Sequence, residues 1–490
     1  VVVNIDYSGN ILDQEYKLAY YREDIAVNAH HWHWHLVYPA TWRENVTGKP
    51  KDRKGELFYY MHQQMCARYD CERLSNKMTR VDPLDNWHKE LEGYGPHLCS
   101  LLNGLHYGMR PSGLKIHDIS DIDIYEMNRW VERVLEAISL GYVVDSEGNE
   151  VSLNAQNGTD ILGDLIEAST ESLNQKYYGS IHNWGHVMLA AVHDPVGKYK
   201  ENPGVMDDTS TSLRDPIFYR WHRFIDNMFQ EFKTNLPPYS KHELEFPKVN
   251  IGKVTLHATK SNYLQTFEED HYLELCHGVQ FCKEGSVKVH YKRLQHEEFN
   301  YNIEVHNDSS SNKNAVVRIF LAPRDNELGN RLELDDQRHL FIELDKFHVV
   351  LNPGENTITR KSKDSSVTLS KERTIDELMK GEGLNDDNNE FCSCGWPQHM
   401  LIPRSNEEGM VFDLFVMLTN WENDNVNGHS SEEAICTDAV SYCGAKDHKY
   451  PDRQAMGFPF DRTITHHTLS DFLTTNMSAT EVTIKFKNHH

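Results

Sequence analysis

Two histidine pairs limit what this chain can become. In Asn28-Ala29-His30-His31-Trp32-His33-Trp34-His35, four histidines crowd into six residues, in a chain with 29 histidines among 490 residues. Asp24 offers a helix cap and Pro39 a stop, so the stretch predicts one helix. On it His31 and His35 stand one turn apart and leave from the same face. That spacing suits two nitrogen ligands of one metal ion. His30 and His33 point elsewhere and read as packing or surface residues. The motif returns at His182-Asn183-Trp184-Gly185-His186. Each pair is followed by a helix with a histidine one turn after a phenylalanine: Phe58 with His62, and Phe218 with His222. Two sets of three imidazoles on four helices predict a two-metal site inside a helical bundle.

Ligand type selects the metal. No carboxylate or thiolate occupies a matching helical position, whereas binuclear zinc or magnesium hydrolases use a bridging Asp or Glu. Neutral imidazoles suit copper, which is also redox active. The reading assigns one copper ion to His31, His35 and His62 and a second to His182, His186 and His222. As Cu(I), each would give one electron to O2, which would then lie between them as a bridging peroxide. Phe58 and Phe218 alone read as plain core; beside His62 and His222 they read as rings packed on ligands. Glu167, on the helical stretch before His182, reads either as a solvated helix residue or as a carboxylate that orients a water or a substrate proton. The Asn183 amide would hold the same water.

Composition narrows the class further. Hydrophobic residues make up 39% and charged residues 25%, an ordinary globular balance, with length enough for two or three domains. A net charge of -24 argues against nucleic acid and anionic membranes as partners. No apolar run reaches the roughly 18 residues that a spanning helix needs. The chain opens Val1-Val2-Val3 without an initiator Met or a signal peptide, which reads as a processed protein or a fragment. Of nine cysteines, Cys66, Cys71, Cys99, Cys276 and Cys282 are scattered, while Cys392, Cys394, Cys436 and Cys443 form two close pairs. These four fit either a zinc knot or two disulfides, and their context is structural rather than catalytic. Sequons at Asn45, Asn157, Asn307 and Asn476 permit glycosylation. Together these features suggest a secreted, extracellular protein with disulfides.

The apolar pattern divides the chain. Residues 1–12 read as a strand and linker left over from a preceding domain. Residues 13–238 read as the helical dicopper domain, with a hairpin at 141–151, and Leu236-Pro237-Pro238 ends it. Residues 239–490 change to short alternating runs such as Val316-Val317-Arg318-Ile319-Phe320-Leu321, which predict an antiparallel β-sandwich or barrel.

These residues carry a family resemblance. Asn28 to Pro39, with Phe58-Tyr59-Tyr60-Met61-His62-Gln63-Gln64-Met65, resembles the copper-A signature of the arthropod hemocyanin and prophenoloxidase superfamily. His182 to His186 and Phe218 to His222 resemble its copper-B signature. Cys394-Gly395-Trp396-Pro397-Gln398-His399 and Gly457-Phe458-Pro459-Phe460-Asp461-Arg462 are also similar, so the likeness spans the chain and is nearest to chelicerate members. The resemblance implies a multidomain α + β fold: a helical bundle with a binuclear type-3 copper site, then an immunoglobulin-like sandwich. It implies reversible O2 transport in hemolymph, self-association to hexamers or multiples of them, and disulfides Cys392–Cys436 and Cys394–Cys443. Copper-free storage relatives lack ligand histidines, and all six are present here. Family subunits begin with a further helical domain that this chain lacks, and that domain supplies an aromatic residue blocking phenol access. A phenoloxidase activity at the same copper pair, with Glu167 and Asn183 as catalytic residues, is therefore the alternative.

Overall fold

The computed structural model describes residues 1–100, 102–275, 285–369, 380–381, 394–426, 439–445 and 448–488. Six longer helices precede the β-rich part: α1 (Ile25–Val37), α2 (Lys54–Ser75), α3 (Ile124–Leu140), α4 (Gly158–Glu167), α5 (Ile181–Ala190) and α6 (Pro216–Thr234). Their ends follow local chemistry. The Asp24 carboxylate accepts the Val27 N–H at 2.9 Å and starts α1. Asp123 does the same for α3, which Gly141 closes in the left-handed conformation that glycine adopts freely. Asp215 caps α6, with Pro216 in the first turn, where its missing N–H costs nothing.

The helix α2 is the exception to amphipathic patterning. Apart from Arg73, its residues are buried along its whole length. A helix buried all round belongs to a core shared by two layers. On one side it crosses α4 at backbone contact: a Cβ on Gly163 would lie 2.1 Å from the Gly55 carbonyl oxygen. On the other it grips the β-rich part. The Tyr60 hydroxyl donates to Glu343 Oε1 at 2.9 Å, Gln64 Nε2 to the Phe341 carbonyl at 3.1 Å, and Arg68 to the carbonyls of Glu343 and Leu401 at 3.0 and 2.8 Å.

Among the described residues the strands of three or more residues are β1 (Val2–Asn4), β2 (Tyr142–Val144), β3 (Glu150–Ser152), β4 (Val249–His257), β5 (Tyr263–Glu274), β6 (Lys288–His296), β7 (Asn300–Asn307), β8 (Lys313–Pro323), β9 (Ile342–Leu351), β10 (Gly354–Lys361), β11 (Met410–Asn420) and β12 (Met477–Lys487). A seven-stranded sheet runs β1-β6-β5-β12-β11-β8-β9, and a three-stranded sheet β10-β7-β4. The pair β2 and β3 is the expected hairpin.

Three details differ from the sequence reading. The large sheet is mixed rather than antiparallel, because β12 lies parallel to β5 and β1 parallel to β6. β12 pairs antiparallel with β11 and parallel with β5, and the chain of β6 to β11 between β5 and β12 supplies the crossover that a parallel pair needs. The strand at the start of the chain, read as a remnant, is here an edge strand of that sheet. The strand β5 escaped notice because Glu268, Glu269 and Asp270 break its apolar alternation, and much of its outer half faces solvent.

Two sequons also change meaning. Asn307 Nδ2 donates to the carbonyls of Ser311 and Leu351, and Asn476 Nδ2 donates to those of Leu244 and Leu418. Both side chains are buried, so the folded chain cannot offer these amides for glycosylation, whereas Asn45 is exposed. Cys394 and Cys443 form a disulfide, which rules out the zinc knot for those two. Cys392 and Cys436 lie outside the described residues. Among the described residues no helix is long and apolar enough to cross a membrane.

Candidate metal centre

Four helices bring six histidines to one pocket. From α1 come His31 and His35, with His31 Nε2 3.1 Å from His35 Nε2. From α2 comes His62, its Nε2 3.4 Å from that of His31. On the opposite side His222, from α6, has its Nε2 3.3 Å from that of His182 and 3.2 Å from that of His186, both on α5. The halves meet at His62 and His222. His31, His35 and His62 satisfy the spacing for a shared ion, and so do His62, His182 and His222.

Hydrogen bonds at the far nitrogens fix which atom faces inward. His31 Nδ1 lies 2.7 Å from the Thr209 carbonyl oxygen, His62 Nδ1 2.7 Å from that of Phe58, and His186 Nδ1 2.7 Å from that of Met206. A carbonyl oxygen only accepts, so each of these Nδ1 atoms carries the hydrogen and each Nε2 presents a bare lone pair. For His182 the partner is Asn183 Oδ1 at 2.9 Å, and Asn183 Nδ2 donates to the Glu167 carbonyl at 2.7 Å, which sets the amide the right way round. His222 Nδ1 is buried without a partner.

The surroundings keep the rings neutral. Burial pushes His31 down to about 3 and His186 to about 4, and holds His35, His62, His182 and His222 well below the usual histidine range. Neutral rings with inward lone pairs repel one another at these separations. A soft cation bound by nitrogen relieves that repulsion, and the absence of any anionic donor matches copper better than a hard ion. The residues present therefore fit the metal that their pattern predicted.

Phe58 and Phe218 seal the pocket from two sides, and both are fully buried. Phe58 lies 4.5 Å from His62 and 4.9 Å from His182, ring centre to ring centre. Phe218 stacks on His222 at 4.2 Å and meets His31 edge-on at 5.3 Å. Each phenylalanine thus touches both halves. Glycine matters at one place: a Cβ on Gly185 would lie 1.9 Å from Trp221 Cζ2, so only glycine lets α5 approach α6 this closely. His35 and His186 are half-buried and mark the open side.

Glu167 is not a solvated helix residue. It is buried, and its Oε1 accepts from Lys54 Nζ at 2.7 Å, an ion pair enclosed on both sides. Its Oε2 is buried without a partner, and burial raises its pKa. Asn183 bridges the Glu167 main chain and the His182 ring. The sequence offered no sign of Lys54, nor of the carbonyls of Thr209, Phe58 and Met206, since main-chain acceptors leave no trace in residue identity. His399 was quoted for its motif alone. Its Nε2 lies 2.7 Å from Asp24 Oδ2, tying the cap of α1 to the β-rich part.

Fold and site together define a protein with an all-imidazole pocket able to hold metal, carried on helices ahead of a β-rich domain. The family described as hemocyanin, copper containing domain, matches residues 1–229, and that described as hemocyanin, ig-like domain, matches residues 238–486. The chain belongs to the hemocyanin family and is a copper-binding protein. It is 60% identical to the hemocyanin AA6 chain of Androctonus australis, over 99% of this chain and 78% of that one. Identity to hemocyanin II of Limulus polyphemus is 56%, over 99% and 77%. Among solved structures, scorpion hemocyanin in its activated state superposes with a TM-score of 0.95 at 59% identity, covering 99% of this chain and 78% of that chain. A hemolymph type prophenoloxidase from a crustacean superposes at 0.87 with 31% identity, covering 100% and 73%.

Proposed function

We propose that this chain carries dioxygen reversibly on two copper ions, one held by His31, His35 and His62 and the other by His182, His186 and His222. One observation carries the reading: six ring nitrogens converge on one pocket, and on His31, His62 and His186 the outer nitrogen is committed to a main-chain carbonyl, which leaves the inward lone pair bare. Copper held by these residues would supply the reversible electron donation that dioxygen binding needs.

The chain's own residues do the rest. Thr209, Phe58 and Met206 hold His31, His62 and His186 in one tautomer, and Asn183 holds His182. Phe58 and Phe218 exclude water, and with it proton donors, from the faces of the rings. The reading also places the protein in hemolymph as a secreted chain, supported by the Cys394–Cys443 disulfide and the net charge of -24. Assembly into hexamers or their multiples draws support from exposed Leu102, Leu105, Val196 and Tyr199, on loops joined by an Asn103–Asn202 hydrogen bond.

A second reading, oxidation of diphenols at the same pair, draws on Glu167 Oε2, which is buried and unpartnered. Against it, Lys54 occupies the other oxygen of the only carboxylate proposed as a base. The two separate by experiment. Copper-loaded protein cycled between air and argon should show a near-ultraviolet band that appears and vanishes without loss, and no quinone from catechol. Steady quinone formation would favour the second reading, and no oxygen-dependent band would sink both.

A further inference from the structure

Behind the pocket, a run of oxidisable rings leads from the histidines towards solvent. Phe218, stacked on His222, also meets the ring of Tyr219 at 5.1 Å between centres. Tyr219 in turn lies flat on Tyr69 of α2, 3.7 Å between centres and 18° from parallel. Tyr21 closes the group, 5.4 Å from Tyr69 and 6.0 Å from Tyr219. All three tyrosines are buried.

Their hydroxyls differ in one respect. Tyr219 donates to the Leu213 carbonyl and Tyr21 to the Met65 carbonyl, each at 2.9 Å. Tyr69 donates at 2.8 Å to Oε2 of Glu15, a carboxylate. A phenol that loses an electron becomes a strong acid, and of these three acceptors the carboxylate alone is a base able to take its proton. The Arg73 guanidinium stands 5.9 Å from the centre of the Tyr69 ring. Its charge opposes a positive ring, so electron and proton must leave Tyr69 together. Glu15 is only partly buried and lines a cavity of about 240 Å³ that opens to solvent, which gives the proton a way out.

We propose that Tyr219 and Tyr69 drain oxidising equivalents from the six-histidine pocket, with Tyr69 as their resting place and Glu15 as the proton acceptor. The proposal rests on copper in that pocket and not on which reaction the pocket performs. The oxidant is hydrogen peroxide, which one-electron reduction by Cu(I) splits into hydroxide and a hydroxyl radical. The radical takes an electron from Tyr219 and becomes a second hydroxide. Tyr219 keeps its proton against the Leu213 carbonyl while Tyr69 refills it through the stack and passes its own proton to Glu15. Once Glu15 hands that proton to solvent, a hydroxyl radical and a tyrosine have become water and a neutral tyrosyl radical. A small enediol reductant at the surface then gives back one electron and one proton, which restores the Tyr69 O–H bond. Damage that would fall on the ligand rings is moved to a residue that can be repaired.

The test uses the full chain loaded with copper, reduced, and mixed anaerobically with equimolar hydrogen peroxide. Rapidly frozen samples are read by electron paramagnetic resonance, and oxidised histidine is mapped by peptide mass spectrometry. A tyrosyl signal should appear that the copper-free chain does not give. At equal copper per chain, Tyr69→Phe and Tyr219→Phe should each lose most of that signal and raise oxidation of His31, His62 and His222. Glu15→Gln leaves the rings in place and should shorten the life of the signal. Tyr301→Phe, which removes a buried and unpartnered hydroxyl on β7, should change nothing. A signal that survives both Tyr69→Phe and Tyr219→Phe overturns the proposal. So does histidine oxidation no greater in those variants than in the parent, or the absence of any copper-dependent radical. A signal as long-lived in Glu15→Gln as in the parent overturns the role given to Glu15. Tyr69→Phe should still show the reversible oxygen-dependent band, so this proposal and the oxygen-carrier reading fail separately.

Discussion

The rings of His62 and His222 lie face to face, 4.6 Å between centres and 5° from parallel. This stack joins the two halves of the pocket, since His62 satisfies the spacing of a shared ion with either half. His62→Ala removes a ligand of the first ion and the ring stacked on His222, which holds the second, so copper should fall below one per chain. His186→Ala, at the open edge, should lower it only towards one and abolish oxygen binding. Elemental analysis beside circular dichroism checks both. Equal copper loss in the two variants would contradict the shared role of His62.

Gly185 separates the paired histidines of α5 and lies against Trp221, which precedes His222. An added methyl must displace the indole, since the Cβ would stand 1.9 Å from Cζ2. Overpacking of this kind costs about 1–3 kcal/mol and pushes the helices apart. Gly185→Ala should lower the melting temperature and weaken copper retention against a chelator, whereas Ala at exposed Gly252, where an added Cβ meets nothing closer than 3.4 Å, should do neither.

Lys54 and Glu167 form an ion pair closed off from solvent on both sides. Removing one partner leaves a buried charge, at a cost of about 3–5 kcal/mol. Lys54→Met should therefore destabilise the chain strongly, and Lys54→Met with Glu167→Gln should recover much of the loss in denaturant titrations. Additive losses would show that the pair is not coupled.

Glu72 gives a dependence on pH. Burial pushes its carboxyl from 4.5 up to about 7, although the Tyr20 hydroxyl and the Arg404 N–H both donate to it. The folded chain thus binds this proton more tightly than the unfolded chain. Its contribution to stability is full below about 4.5 and is lost as pH rises towards about 7. Glu72→Gln should flatten that decline, read as melting temperature against pH. A decline as steep in the variant would assign it to other groups.

Much of the site was legible because helical periodicity turns residue spacing into direction: His31 with His35, and His182 with His186, could share a face only on helices. Phe58 and Phe218 were legible as neighbours of His62 and His222, but not as bridges between the halves, since bridging depends on how four helices cross. Gly55, Gly163 and Gly185 set those crossings, and a glycine in sequence does not name what it approaches. Glu167 read as exposed or catalytic because its partner Lys54 is remote in sequence. In the β-rich part, β8 and β11 announced themselves through apolar runs, whereas β5 is too charged along one half. The parallel return of β12 is a property of topology, which alternation does not encode.

Anomalous scattering at the copper edge from crystals of the loaded chain tests the central claim most directly. The account predicts two peaks, one bounded by Nε2 of His31, His35 and His62 and the other by Nε2 of His182, His186 and His222. A single peak, a peak outside this pocket, or a signal at the zinc edge in place of copper would contradict it.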